Sequence, residues 1–196
     1  MSDMAVNYAR RPISVLDYHR MAEVGILAPD ERVELLDGEL IAVPPMNSPH
    51  GGGITGINQL LAHRFYGRAL VRVGLPVTID DHSEPEPDFA LVGLEENEWR
   101  DRHPVAGDVL LLIEVADSSR DFDLKKKAPI YARAAVPEFW VVDVVDRRLI
   151  VHRDPVAGRY AMTRVLRPGE RIAPLAFPAD ELEVVALTGR EPLAHG

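Results

Sequence analysis

With 196 residues, of which 46% are hydrophobic and 27% charged, the chain has an ordinary globular composition, enough apolar material for a core, and the length of one domain spanning residues 1–196. A formal charge of −9 excludes a general nucleic-acid coat, because phosphate binding is driven by lysine and arginine, although it leaves room for a local basic groove. Cysteine is absent, which excludes a disulfide framework and thiolate chemistry, and no apolar run approaches the ~18 residues of a membrane helix, so a cytoplasmic protein without a membrane partner is expected.

In chain order, "SVLDYHRMAEVGI" carries apolar Val15, Leu16, Met21, Val24 and Ile26 behind Ser14, which predicts a short capped helix. "RVELLDGELIAVPP" predicts a hairpin, since Asp37-Gly38 separates two short apolar segments. "SPHGGGITGINQLLAHRFYGRAL" opens on glycines, then sets Ile54, Ile57, Leu60, Leu61 and Phe65 at helical intervals. "VRVGLPVTI" and "PDFALVG" read as strands, and "DVLLLIEV" has the continuous apolar pattern of a strand buried on both faces. A second helix is expected over residues 120–135, kinked or started late by Pro129, which costs about 3 kcal/mol inside a regular helix. "EFWVVDVV" and "RLIVHRD" are strands joined at Asp146-Arg147, and "RYAMTRVL" is another. The fold class is therefore mixed α/β. Its core is helix, three strands, helix and strand, with an N-terminal helix-hairpin extension and extra C-terminal strands. The apolar "FWVVDVV" reads as a sheet edge able to serve a homodimer.

Of 22 basic side chains, 19 are arginine, and the three lysines are consecutive at Lys125, Lys126 and Lys127. Arginine stays charged, whereas burial can tune a lysine, so this placement points to chemistry as well as to a solvated turn. Glu114 ends its strand on the face of Leu110 and Leu112, where a lone carboxylate is costly unless paired or metal-bound. Asp88 opens a neighbouring strand after Pro87. Asp123, Lys127 and Tyr131 recur at four-residue intervals on one helix face, leaving Lys125 and Lys126 as passengers or phosphate contacts. Two carboxylates and a lysine suit hydrolysis of a phosphodiester with Mg²⁺ or Mn²⁺, which binds hard oxygens and activates water. The lysine would orient that water, or take its proton if burial lowers its pKa. The plainer readings are a buried Glu114–Lys127 ion pair, Asp123 at a helix N-terminus, and Tyr131 in packing.

"PD" at 87–88, "IEVADSS" at 113–119, "DLKKKAPIYARAAVPEFWVVD" at 123–143, "ELLDGELI" and "SPHG" together resemble the Uma2 family of the PD-(D/E)XK restriction-endonuclease-like superfamily, over about residues 32–153. The resemblance implies the same core with the active site at the sheet edge, DNA as substrate, and Asp88 and Glu114 as metal ligands. Ala116 stands where a lysine would complete E-x-K, so the resemblance assigns the lysine role to Lys127 on the following helix. Glu34 and His50 match recurring family positions, Glu34 near the metal and His50 beside it or at a helix N-terminus. A packed or solvated His50 is the simpler reading. Two other functions compete with a metal-dependent endonuclease: an inactive, nuclease-like dimeric binding module, and a hydrolase of small phosphoesters. "HGGGITG" lacks the lysine and spacing of a phosphate-cradling loop, and scattered histidines without cysteine give no zinc pattern.

Overall fold

The computed structural model describes residues 10–44 and 48–189, with residues 48–50 described by their backbone alone. Helix α1 (Val15–Glu23) starts as expected, with Ser14 Oγ accepting the Asp17 N–H at 3.1 Å. Strands β1 (Val33–Leu36) and β2 (Glu39–Ala42) form the expected hairpin, in which Leu36 faces Glu39 across a two-residue turn. Asp37 and Gly38 hold φ of 52° and 75°, the paired positive values of a tight turn that follows the strand twist. The hairpin is fastened to the loop that connects the first two strands of the main sheet: the Glu84 N–H donates to the Leu35 carbonyl at 2.8 Å and the Asp37 N–H to Ser83 Oγ at 3.1 Å.

Six strands make the main sheet: β3 (Leu70–Val73), β4 (Phe89–Val92), β5 (Val109–Ala116), β6 (Glu138–Asp143), β7 (Arg148–Val156) and β8 (Arg159–Leu166). They lie side by side in that order, all antiparallel except the β5–β6 pair. Helix α2 (Ser48–Phe65) covers one face, where Ile57, Leu61 and Phe65 pack with Leu111, Ile113 and Val115. The opposite face packs Leu112 and Ala116 against Ala128, Ile130 and Tyr131. β5 is thus covered on both sides, as its unbroken apolar run predicts. A short pair, β9 (Arg171–Ile172) with β10 (Leu182–Glu183), and helix α5 (Val184–Thr188) follow. No described helix is long and apolar enough to cross a membrane.

Two expectations need correction. β6 carries "FWVVD" in the interior of the sheet, parallel to β5 on one side and antiparallel to β7 on the other, so it offers no edge to a second copy. The helix expected over 120–135 is divided: α3 (Arg120–Phe122), a wide π turn (Asp123–Lys127), then α4 (Ala128–Arg133). Pro129 explains the division. Its ring would collide with the Lys125 carbonyl in a regular helix, and it has no N–H to donate there. In the wide turn the Ala128 N–H reaches back five residues to the Asp123 carbonyl.

The hairpin turn supplies a test of how firmly the extension is set. A Cβ on Gly38 would lie 2.4 Å from Pro12 Cβ, at a φ that L-residues rarely adopt. Gly38→Ala should therefore lose about 1–3 kcal/mol in urea unfolding, and an unchanged midpoint would show that the turn is free to rearrange.

Candidate active site

Register brings the first two acids together. Phe89 pairs with Ile113 in antiparallel β4 and β5, so Asp88 precedes β4 beside the end of β5, where Glu114 stands. The Asp88 carboxylate accepts the Val115 N–H at 2.7 Å, which fixes it to that strand end. β4 and β5 are interior strands, so the carboxylates gather at strand ends within the sheet and not along an edge strand. The hairpin brings Glu34 to the same place, and the wide turn before Pro129 directs Asp123 and Lys127 inward while Lys125 and Lys126 face out.

Lys127 is the centre of the cluster. Its Nζ donates to Glu114 Oε1 at 3.0 Å and to Glu34 Oε1 at 3.2 Å. Tyr131 OH donates to the same Glu114 oxygen at 3.0 Å, and Ser119 Oγ to Asp123 Oδ2 at 2.8 Å. Glu34, Glu114, Asp123 and Lys127 are each no more than 6% exposed. The other two lysines are engaged at the surface, Lys125 with Asp121 at 2.6 Å and Lys126 with Asp37 and Glu39 at 3.5 and 3.6 Å. Both are paired with acids of this chain at the surface.

Burial and crowding set the protonation. Burial pushes the Glu114 carboxyl well above its usual range; Lys127 opposes this, and Asp123, Asp88 and Glu34 add to it. Burial also pushes Asp123 up, to about 6, against the pull of Lys127 and the Ser119 hydroxyl. For Lys127, burial alone would lower the pKa, but Glu114, Glu34 and Asp123 outweigh it and hold the amine protonated. The expectation that burial tunes this lysine into a proton acceptor is thereby corrected. The Tyr131 phenol is held up by burial and by Glu114, so it stays a donor.

Glu34, Glu114, Asp123 and Lys127 line a cleft of about 430 Å³. Its acids are Glu34, Glu86, Asp88, Glu114, Asp117 and Asp123, against Arg32 and Lys127 as cations. That surplus of hard oxygen over positive charge fits a divalent cation of the Mg²⁺ or Mn²⁺ kind. Among the described residues no three acids or histidines converge tightly enough to enclose an ion. Mg²⁺ does not require such a cage, because it binds through one or two carboxylates and keeps waters and substrate oxygens as its other ligands.

Of the residues singled out in the sequence, Asp88, Glu34, Glu114 and Lys127 line one cleft, while the His50 side chain lies outside the described residues. Ala116, where a strand lysine would complete E-x-K, is fully buried in the core. The sequence undervalued Asp123 and Tyr131, although their four-residue spacing from Lys127 carried the signal.

Two outcomes follow from this charge balance. Lys127→Met leaves two buried glutamates without their cation and should cost about 3–5 kcal/mol in denaturant unfolding at neutral pH. An additional Glu114→Gln should recover part of that loss, and an unaffected single variant would show the pair to be solvated. Asp123 has a folded pKa above its ordinary value, so its contribution is present below about pH 4 and is lost as pH rises through about 6. Relative to Asp123→Asn, the metal-free protein should therefore lose on the order of 2–3 kcal/mol between about pH 4 and about pH 7 in urea titrations, whereas parallel profiles would contradict the buried carboxyl.

No curated protein matches the chain. Among solved structures, it is similar to "a putative nuclease belonging to DUF820" from Anabaena variabilis ATCC 29413, at 17% identity and a TM-score of 0.71, over 90% of this chain and 98% of that one. At that identity the likeness establishes a shared fold. The model of the Uma2 family, described as "Putative restriction endonuclease", matches residues 15–185, from α1 into α5 and well beyond the stretch that carries the sequence motifs. The chain belongs to the Uma2 family.

Proposed function

We propose that the protein is a divalent-metal-dependent endonuclease that hydrolyses DNA phosphodiester bonds. The observation that carries this reading is the Lys127 ammonium, 3.0 Å from Glu114 and 3.2 Å from Glu34, lining the same cleft as Asp88. Asp88 and Glu114 are the residues that would hold Mg²⁺ or Mn²⁺. Such an ion acidifies water and neutralises charge that builds on a phosphoryl group under attack.

The chain's own side chains divide the remaining work. Lys127 stays protonated, so it supplies charge and a hydrogen-bond donor beside the phosphate but cannot accept a proton. Asp123, pushed up to about 6 and ionised above that, is the carboxylate suited to take the proton of the attacking water near neutral pH. Glu34 and Tyr131 position the others: Glu34 holds the amine from the hairpin side, and Tyr131 steadies the Glu114 oxygen that the amine also grips.

One feature favours the alternative of a binding module without chemistry. Lys127 is already engaged by two glutamates, so a phosphate must compete with them for it. The same assay decides between the two. With Mg²⁺ or Mn²⁺ the protein should nick or linearise supercoiled plasmid or cut single-stranded DNA, and EDTA should stop it. Asp88→Ala and Lys127→Ala should each reduce the rate by about a hundredfold or more. In parallel, Mn²⁺ should raise the melting temperature of the wild type and not of Asp88→Ala. Wild type inert on every DNA, or both variants as active as wild type, contradicts the nuclease reading. Turnover of a small phosphoester without action on DNA would instead support the small-substrate hydrolase.

A further inference from the structure

The cleft lining mixes two unlike kinds of residue. Besides its acids, the cleft is lined by Ile41, Val43 and Pro44 from the end of β2 and the residues after it, and by Phe122 of α3, which is 37% exposed. Arg32 stands on the same rim. Its guanidinium touches the Pro44 carbonyl at 3.5 Å, and among the described residues it makes no ion pair.

The charge elsewhere makes this rim informative. A protein that tracks duplex DNA needs a row of cations, since the duplex carries one phosphate charge per ~1.7 Å of axis. Here several arginines are engaged by acids of this chain: Arg64 and Arg68 on Asp180, Arg148 on Asp143, and Arg153 on Glu138. Arg120, beside the cleft, is held by Asp143 and Asp146 at 3.0 Å each. Among the described residues, the cleft lining then offers Arg32 as a cation without an ion pair, together with the Phe122 ring and the apolar Ile41, Val43 and Pro44. Those are the parts that grip a base by its face and a phosphate by its charge without reading sequence. The cleft's volume, about 430 Å³, is that of a pocket for a small organic group.

We propose that the cleft takes an unpaired nucleotide, its base against Phe122 and the Val43–Pro44 wall and its phosphate toward Arg32. The favoured substrate is then single-stranded or locally unpaired DNA, in preference to intact duplex. This rests on the nuclease reading for its cleavage consequence, but the binding preference stands apart from it.

The test measures binding and cleavage together, with Mn²⁺ present, on a short single-stranded oligonucleotide, the same sequence with an unpaired bubble, and its blunt duplex. The single strand and the bubble should bind, and be cut, at least about tenfold better than the duplex. Phe122→Ala and Arg32→Gln should each weaken binding of the single strand, and raise its KM more than they lower kcat. A 2-aminopurine placed in the single strand should be quenched by wild type and less so by Phe122→Ala. Equal cleavage of all three DNAs, or variants indistinguishable from wild type, overturns this inference and leaves the nuclease reading intact. If no DNA is cut, the nuclease reading fails and the binding measurement decides the inference alone. A single-strand preference lost in both variants then upholds it, and no preference overturns it.

Discussion

The Lys127 ammonium is the buried link among three parts of the chain, which surface contacts such as Lys126 on Asp37 and Glu39 also tie together. Its Nζ binds Glu34 of the hairpin and Glu114 at the end of a central strand, and it is carried by the helical crossover between β5 and β6. Each charge alone in that place would be expensive to bury, so the cluster persists only as a set. With the lysine present, Glu34 is drawn over the strand ends and Tyr131 is left to donate to the shared glutamate oxygen. Six acids line the cleft against Arg32 and Lys127, and in the proposed nuclease this surplus of negative charge is what would receive a cation.

The backbone device behind this arrangement is the wide turn before Pro129. A regular helix would place the proline ring against the Lys125 carbonyl, and the five-residue reach from Ala128 to Asp123 avoids that collision. The widened turn keeps Asp123 and Lys127 on the inner side, and α4 then sets Tyr131 fully buried beneath them. In the strand itself, Ala116 is committed to packing with Leu112 and Ile130, so its position is occupied by core. The catalytic amine proposed here therefore comes from the helix, and the strand keeps an unbroken apolar face.

Much of this was legible in the residues. Asp37-Gly38 specified its hairpin, the continuous run "DVLLLIEV" specified a strand covered on both faces, and the four-residue spacing of Asp123, Lys127 and Tyr131 specified a shared side. What failed to show were long-range facts. "FWVVD" announces a buried strand but not its neighbours, and parallel pairing with β5 on one side and antiparallel pairing with β7 on the other turned an assumed edge into the middle of the sheet. Burial of Lys127 could be anticipated and suggested a lowered pKa. The acid that reverses the sign includes Glu34, 93 residues away, and local pattern carries no trace of that contact. Asp123 resembled a helix-start residue because nothing in its vicinity says which way the first turn faces.

In the proposed nuclease, Asp88 and Glu114 hold a divalent ion beside a lysine that remains folded into the cluster. A crystal of the protein grown or soaked with Mn²⁺ tests it most directly through anomalous scattering. The account predicts a manganese peak within bonding distance of both carboxylates, with the Lys127 amine still hydrogen-bonded to Glu114. A cleft without such a peak at saturating Mn²⁺, or an amine swung out to bulk solvent, would contradict it.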